Sequence, residues 1–211
     1  MAYCLNPACN HPQNPDHYHF CQSCGTELNK AVSFHGRYRV VEKIGEGAFG
    51  RTYKAEDLHF KGKPRVIKKF IAQVQGEALR KATELFEREA EKLDELKHQQ
   101  IPTVYDHFEE GNSLYLVEEF IEGETLQKEY SREGRFDEGK VRQLFEEILP
   151  VLAYLHRKKL IHRDIKPDNI MRRREDGKLI LIDFGGVKEQ TTKMGTGLYT
   201  PGYAAHEHAI G

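Results

Sequence analysis

The chain has 211 residues, a formal net charge of −1, and 38% hydrophobic against 31% charged residues. That balance is too apolar for a disordered chain and holds no apolar run long enough for a membrane helix. Near-neutral charge also excludes a strong global field for nucleic acid or an anionic membrane surface. Met1-Ala2-Tyr3-Cys4 leads into polar, proline-containing sequence with no secretory leader, so the cytoplasm is the expected location.

All four cysteines fall within the first 24 residues. In a cytosolic chain such clustering favours a metal site over disulfides. The spacing is Cys4-x4-Cys9-x11-Cys21-x2-Cys24, followed by Gly25. Two cysteine pairs separated by a loop suit a tetrahedral zinc ion, with Cys21-x-x-Cys24-Gly25 as the knuckle-like half. His11, His17 and His19 are alternative ligands, and free thiols or disulfides are the alternative chemistry. A module this small cannot fold on an apolar core, so metal would supply its folding energy. Residues 1–30 therefore read as a zinc-ribbon-like module and 31–36 as a linker. Few basic residues lie in 1–30, which argues against DNA contact.

From Tyr38 the texture changes to strands and long helices. Tyr38–Ile44 alternates as a strand and runs into Gly45-x-Gly47-x-x-Gly50; Arg51–Glu56 and Arg65–Phe70 are the next strands. Residues 77–97 carry Leu79, Ala82, Leu85, Phe86, Glu89, Ala90, Leu93 and Leu96 near a 3.6-residue period, which predicts a helix. Strands follow over Thr103–Glu109 and Ser113–Glu119, with Gly111-Asn112 as the hairpin turn. A second helix is expected over 137–159, with Val141, Leu144, Phe145, Ile148, Leu152 and Leu155 on one face and a kink at Pro150. Arg172, Arg173 and Arg174 read as a solvated turn face rather than a nucleic-acid patch.

Three motifs carry chemistry. The glycine loop is followed by a strand, Thr52-Tyr53-Lys54-Ala55, and not by the helix of a dinucleotide fold. A strand–turn–strand loop of glycines lets backbone approach phosphates closely. Lys68 follows Val66-Ile67 on the third strand, where an apolar setting suits a phosphate-binding cation. Glu89 shares the inward helix face with Phe86 and Leu93 and would hold Lys68 by an ion pair. The third motif is Ile161-His162-Arg163-Asp164-Ile165-Lys166-Pro167-Asp168-Asn169-Ile170, followed by Asp183-Phe184-Gly185 at a strand end. Asp164 can orient a hydroxyl proton, Lys166 can neutralise a transferring phosphoryl group, and Asn169 and Asp183 offer oxygen ligands to magnesium. Together, in this order, they exclude coincidence.

From residue 37 onward the chain resembles the eukaryotic-like protein kinases. Asn6-Pro7-x-Cys9, Phe20-Cys21-x-Ser23-Cys24-Gly25-Thr26 and Gly50-Arg51-Thr52-Tyr53 resemble, in particular, cyanobacterial serine/threonine kinases. The resemblance implies an α+β, bilobal protein-kinase-like fold: a five-stranded antiparallel N-lobe with one helix over 37–120 and a partial helical C-lobe over 121–211. It implies ATP and Mg2+ as ligands. Ile44, Gly45, Gly47, Gly50, Thr52, Val66, Lys68 and Met171 would meet the nucleotide, and Glu119 to Ile121 would form the hinge. His162, Phe184, Leu93 and Val104 match a stacked hydrophobic column. Arg163 beside Asp164 implies ordering by phosphorylation, with Thr191, Thr192, Thr196 and Tyr199 as candidate acceptors. Lys166 and Thr200 match the class acting on serine or threonine of a protein.

Departures from the family pattern are Thr52 and Val66 above the adenine, and Ala205-His206-Glu207 for Ala-Pro-Glu. Glu118 stands at the gatekeeper position, where burial is costly without a partner. The family's fold continues beyond the position of Gly211. The expectation is therefore a truncated kinase with an incomplete C-lobe, whose exposed underside a partner would cover. The rival class is a catalytically impaired nucleotide-binding or docking module, and a weaker third is a zinc-dependent nucleic-acid adaptor.

Overall fold

The computed structural model describes residues 2–4, 6, 9, 13–15, 17–28, 33–47, 50–71, 77–110, 113–184 and 188–189. They form two compact units, Met1–Asp94 with Val104–Phe120, and Glu95–Thr103 with Ile121–Gly211.

The first unit opens with β1 (Ala2–Tyr3) and β2 (Gln13–Asn14), a short antiparallel pair. Then come β3 (Ser33–Phe34), β4 (Tyr38–Gly47), β5 (Gly50–Asp57), β6 (Lys63–Ile71), α1 (Glu77–Asp94), β7 (Val104–Glu110) and β8 (Ser113–Glu119). The sheet order is β3-β4-β5-β6-β8-β7, antiparallel throughout. The β3 strand adds to the five expected. Its two residues sit in the stretch read as a linker, and pairing of Ser33 with Arg39 and Phe34 with Tyr38 makes the strand. Two residues carry no periodicity, so only the partner could reveal it. Helix α1 ends at Asp94, earlier than the expected residue 97. Leu96 is buried outside the helix, in the second unit.

Side chains alternate across each strand, and both faces of this sheet are used. One carries Phe34, Tyr38, Val40, Tyr53, Ala55, Ile67, Tyr115 and Val117, packed into one buried cluster with Phe108. The aromatic members meet edge to face or stacked, with Phe34 to Tyr53 centroids at 5.5 Å and Phe108 to Tyr115 at 4.9 Å. The other face holds Ala90 of α1 with Val104 and Leu116, and Phe70, Phe86 and Leu93 packed against them. That face also carries Lys68.

An ion network closes the end of this sheet. Asp57 is fully buried. Arg37 forks onto it through Nε and Nη2, both at 2.8 Å, and Arg65 Nε lies 3.5 Å away. Burial alone would raise the Asp57 carboxyl, but the Arg37 fork outweighs it and holds the carboxyl below its ordinary 3.8. A depressed carboxylate contributes stability above its unfolded value and loses it as pH falls through the folded value. Asp57→Asn leaves two guanidinium groups short of their anion. It is expected to cost about 3 to 5 kcal/mol at neutral pH. Thermal unfolding would read this as a lowered Tm, and the gap to the native chain should narrow at pH values below 3.8.

The second unit contains β9 (Gly123–Thr125), α2 (Leu126–Glu133), α3 (Glu138–Arg157), β10 (Leu160–Ile161), β11 (Ile170–Arg173), β12 (Leu179–Leu181) and β13 (Lys188–Glu189). Strands β9, β11 and β12 form one antiparallel sheet with β11 central, and β10 pairs with β13. Thr125 and Asp137 cap α2 and α3, accepting from the backbone N–H of Lys128 and Lys140. Helix α3 runs continuously through Pro150. Its buried residues are Ile148, Val151 and Leu155. Val141 and Phe145, expected on the inward face, are exposed, and with Leu149 they make a second apolar stripe at a four-residue spacing. Two stripes on one helix defeat a single-face reading of its pattern. Of the three arginines at 172–174, Arg172 and Arg173 lie on β11, and Arg174 lies on the turn that follows, as expected. Each is paired: Arg172 with Glu129, Arg173 with Asp176, Arg174 with Glu122.

Candidate functional site

In the first unit, β4 and β5 carry the glycine loop as the two arms of one hairpin, with Gly45 opposite Thr52 and Gly47 opposite Gly50. Residues 48 and 49 lie outside the described residues. Gly50 needs to be glycine: its φ is +142°, and a Cβ there would stand 1.9 Å from the Lys69 carbonyl oxygen. Arg51, next to it, donates from Nε to Glu46 Oε1 at 2.9 Å and from Nη2 to the Cys9 carbonyl at 3.2 Å. One side chain therefore ties the glycine loop to the cysteine module. Nothing in the local pattern marks that link, because its partners are 42 residues apart.

Strand register brings Thr52 opposite Lys68 and Lys54 opposite Val66, so Thr52, Val66 and Lys68 share a face. Lys68 Nζ lies 2.9 Å from Glu118 Oε2, with side chains 15% and 7% exposed. Glu118 is thus buried and paired. The side chain of Glu89, the expected partner of Lys68, lies outside the described residues, as does the Gly111-Asn112 turn. Ile44 is exposed, Glu119 half-buried, and Ile121, at the start of the second unit's long segment, buried.

In the second unit, β10 leads into the loop that carries Asp164. Arg163 and Asp183 both adopt left-handed backbone, at φ 68° and 62°. Non-glycine residues hold that conformation only where surroundings impose it, and such residues gather at functional sites. The imposing contacts are visible. Asn169 is buried, and its Nδ2 donates to the Asp164 carbonyl at 2.9 Å and to Asp164 Oδ2 at 2.8 Å. Lys166 Nζ lies 2.9 Å from the same Oδ2. Pro167–Asn169 forms one 3-10 turn, in which Asn169 N–H bonds the Lys166 carbonyl at 2.9 Å. Ile182 N–H then bonds the Asn169 carbonyl at 2.8 Å, placing Asp183 beside the loop. Buried His162 bonds the Ile182 carbonyl through Nε2 at 3.3 Å, and its ring meets Phe184 edge-on at 4.9 Å. Met171 sits on β11 opposite Thr125 and Ile180.

Asp164, Lys166 and Asn169 therefore stand together, with Asp183 tied to them through backbone. Leu93 and Val104, the other two residues read as a column with His162 and Phe184, pack in the first unit's cluster. Motif reading missed Gln100. This buried side chain donates to the carbonyls of Glu147 and Leu179, at 2.8 and 3.1 Å, while the backbone carbonyl of Gln100 accepts from Leu181 N–H at 2.9 Å. It pins α3 to the strand that delivers Asp183, and only its place before Ile101-Pro102 hints at it. Thr191, Thr192, Thr196, Tyr199, Thr200 and Ala205–Glu207 lie outside the described residues.

The cysteine module brings its four sulfurs within 4.8 Å of one another, with Cys4 to Cys24 and Cys9 to Cys21 at 3.5 Å. No sulfurs are at the ~2.05 Å of a disulfide. A tetrahedral zinc ion ~2.3 Å from each sulfur sets them ~3.8 Å apart, so the donor set fits zinc. Asn6 and Asn14 each donate to a sulfur at 3.5 Å, Cys24 and Cys21 respectively. Gly25 N–H closes a turn onto the Cys21 carbonyl at 2.8 Å. Burial pushes the Cys4 thiol up to about 12, while hydrogen bonding with Thr26 brings exposed Cys24 down to about 6. His17 and His19, the described members of the alternative ligand set, are not in the cluster.

The protein kinase domain profile matches residues 38–209. Serine/threonine-protein kinase B of Synechocystis sp. is 45% identical over 90% of this chain and 33% of its own length. Serine/threonine-protein kinase PknA of Nostoc sp. is 40% identical over 83% of this chain and 33% of its own length. Among solved structures, the apo form of PpkA-294 superposes with a TM-score of 0.62 at 27% identity, covering 75% of this chain and 62% of that one. The chain belongs to the protein kinase family. It spans about a third of the length of these two curated relatives. No helix among the described residues is long and apolar enough to cross a membrane.

Proposed function

We propose that this chain transfers the γ-phosphate of ATP to serine or threonine hydroxyls of a protein substrate. The observation that carries the reading is the Asp164 carboxylate, held at one oxygen by both Lys166 and Asn169. In this role Asp164 orients the attacking hydroxyl and accepts its proton, and Lys166 meets the negative charge of the phosphoryl group in flight. The Asn169 amide spends its N–H on Asp164, so its Oδ1 is the ligand atom it offers to Mg2+, together with the Asp183 carboxylate. Magnesium would supply neutralisation of phosphate charge. Lys68 is the phosphate-binding cation in this reading, with Glu89 assigned as a carboxylate that supports it. Ile44, Gly45, Gly47, Gly50, Thr52, Val66 and Glu119 of the first unit are each assigned to nucleotide contact in this reading, as are Ile121 and Met171 of the second. The division into a zinc-bearing module at 1–30, a linker at 31–36 and a kinase domain at 37–211 belongs to the same reading, as does a cytoplasmic location. Cys4, Cys9, Cys21 and Cys24 are its structural zinc ligands.

The test is transfer of label from γ-labelled ATP, with Mg2+, to a generic protein substrate, beside an Asp183→Asn control. Transfer above the control is expected. Nucleotide binding without transfer above the control would overturn the reading and return the chain to the docking class.

A further inference from the structure

We propose that Glu118 is a positioning residue for Lys68: a carboxylate built into the sheet that fixes the direction of the lysine side chain. The inference rests on the reading of Lys68 as the phosphate-binding cation. Strands β6 and β8 pair with Val66 opposite Glu118 and Lys68 opposite Leu116. Alternation puts residues 66, 68, 116 and 118 on one face, so Lys68 and Glu118 are diagonal neighbours across the ladder. Long side chains span that diagonal, and here they meet at 2.9 Å.

The surroundings are apolar. On its own face Glu118 stands opposite Val66 on β6 and Val104 on β7, with Leu116 two residues along its strand. A lone carboxylate or ammonium placed there would favour its neutral form. Here the two side chains meet each other instead. An ammonium has three N–H donors, and the contact with Glu118 engages one carboxylate oxygen, so this contact alone does not exhaust the lysine. The contact orients the lysine without consuming it.

What distinguishes Glu118 is where it comes from. A carboxylate on a helix can be withdrawn when the helix moves. Glu118 is delivered by β8, whose ladder to β6 runs unbroken from Arg65–Glu119 to Ile71–Ser113. It travels with Lys68, so part of the lysine's orientation belongs to the sheet alone.

Glu118→Gln in the full chain keeps the shape and removes the charge. Two readouts are expected to move together. The kcat should fall about tenfold with KM for magnesium-ATP within about twofold, since a misdirected cation loses more in the transition state than in the ground state. Acylation of the Lys68 amine by a lysine-directed reagent, followed by peptide mass spectrometry, should accelerate several-fold, because an amine released from the Glu118 oxygen samples more orientations and meets the reagent more often. Either readout unchanged in the folded variant overturns the inference. Should Glu118→Gln not fold, Glu118→Asp carries the test: it draws the carboxylate back by one methylene, and the same two shifts are expected at smaller size. Lys68→Met separates the two levels of the argument. If Lys68→Met transfers phosphate at the native rate, the reading of Lys68 falls. If it abolishes transfer while Glu118→Gln keeps native kcat and native acylation, only the role of Glu118 falls.

Discussion

Asp164→Asn is expected to lower phosphoryl transfer by about a hundred- to ten-thousand-fold while leaving magnesium-ATP affinity within about twofold. The size follows from what the substitution removes and what it keeps. Asparagine has the same outline but no basicity, so a hydroxyl proton loses its acceptor. The loop should survive, because Asn169 Nδ2 also donates to the Asp164 backbone carbonyl at 2.9 Å and Ile182 N–H holds the Asn169 carbonyl at 2.8 Å. Lys166 loses its anion at 2.9 Å, but both side chains are partly exposed, so water takes over that role at little cost. Steady-state kinetics with labelled ATP, beside nucleotide binding by fluorescence, separates the two quantities. A variant that retains native turnover would remove Asp164 from the chemistry. A variant that loses nucleotide binding in step with turnover would show that the loop had collapsed.

The legible parts of this molecule are those where chemistry demands particular residues in a row. The run from His162 to Asn169 stood out directly, because an acid, a cation and an amide at this spacing suit one tight turn, and Asp164, Lys166 and Asn169 do stand together. The strand Ser113–Glu119 emerged with its observed bounds, since Gly111-Asn112 marks its start and the apolar run Leu114-Tyr115-Leu116-Val117 its texture. What stayed hidden depends on partners distant in sequence. The pairing of Lys68 with Glu118 joins positions 50 residues apart through strand register, which alternation alone does not specify. Gln100 looks like one more polar residue before a proline, and only the three backbone groups around it explain its burial. Helix α3 shows the converse. Its apolar residues were all visible, but two stripes compete, and the tertiary structure buries Ile148, Val151 and Leu155 rather than Val141 and Phe145.

Loss of metal is expected to unfold the cysteine module and spare the kinase domain. Cys4, Cys9 and Cys21 are themselves the buried cluster of this module, with Leu28 packed against them. Apolar burial on that scale cannot offset the entropy of ordering some thirty residues, at ~1 to 2 kcal/mol each for backbone alone. Zinc bound to four thiolates supplies about 10 to 16 kcal/mol at neutral pH, enough to decide the outcome. The thiols also resist sharing one protonation state without it: Cys4 is held up to about 12 by burial and Cys24 down to about 6 by Thr26. A cation brings all four to thiolate and releases protons on binding, so metal uptake should strengthen as pH rises. Cys21→Ser, or a strong chelator, is expected to take bound zinc from about one equivalent to near zero by elemental analysis. Protease should then cut within residues 1–30, while the thermal transition of the remaining chain persists, because the sheet's aromatic cluster contains no residue of the module. A metal-free chain whose first thirty residues resist protease as well as the native form would show that the module folds on contacts to the sheet, such as Arg51 to the Cys9 carbonyl, and not on its metal.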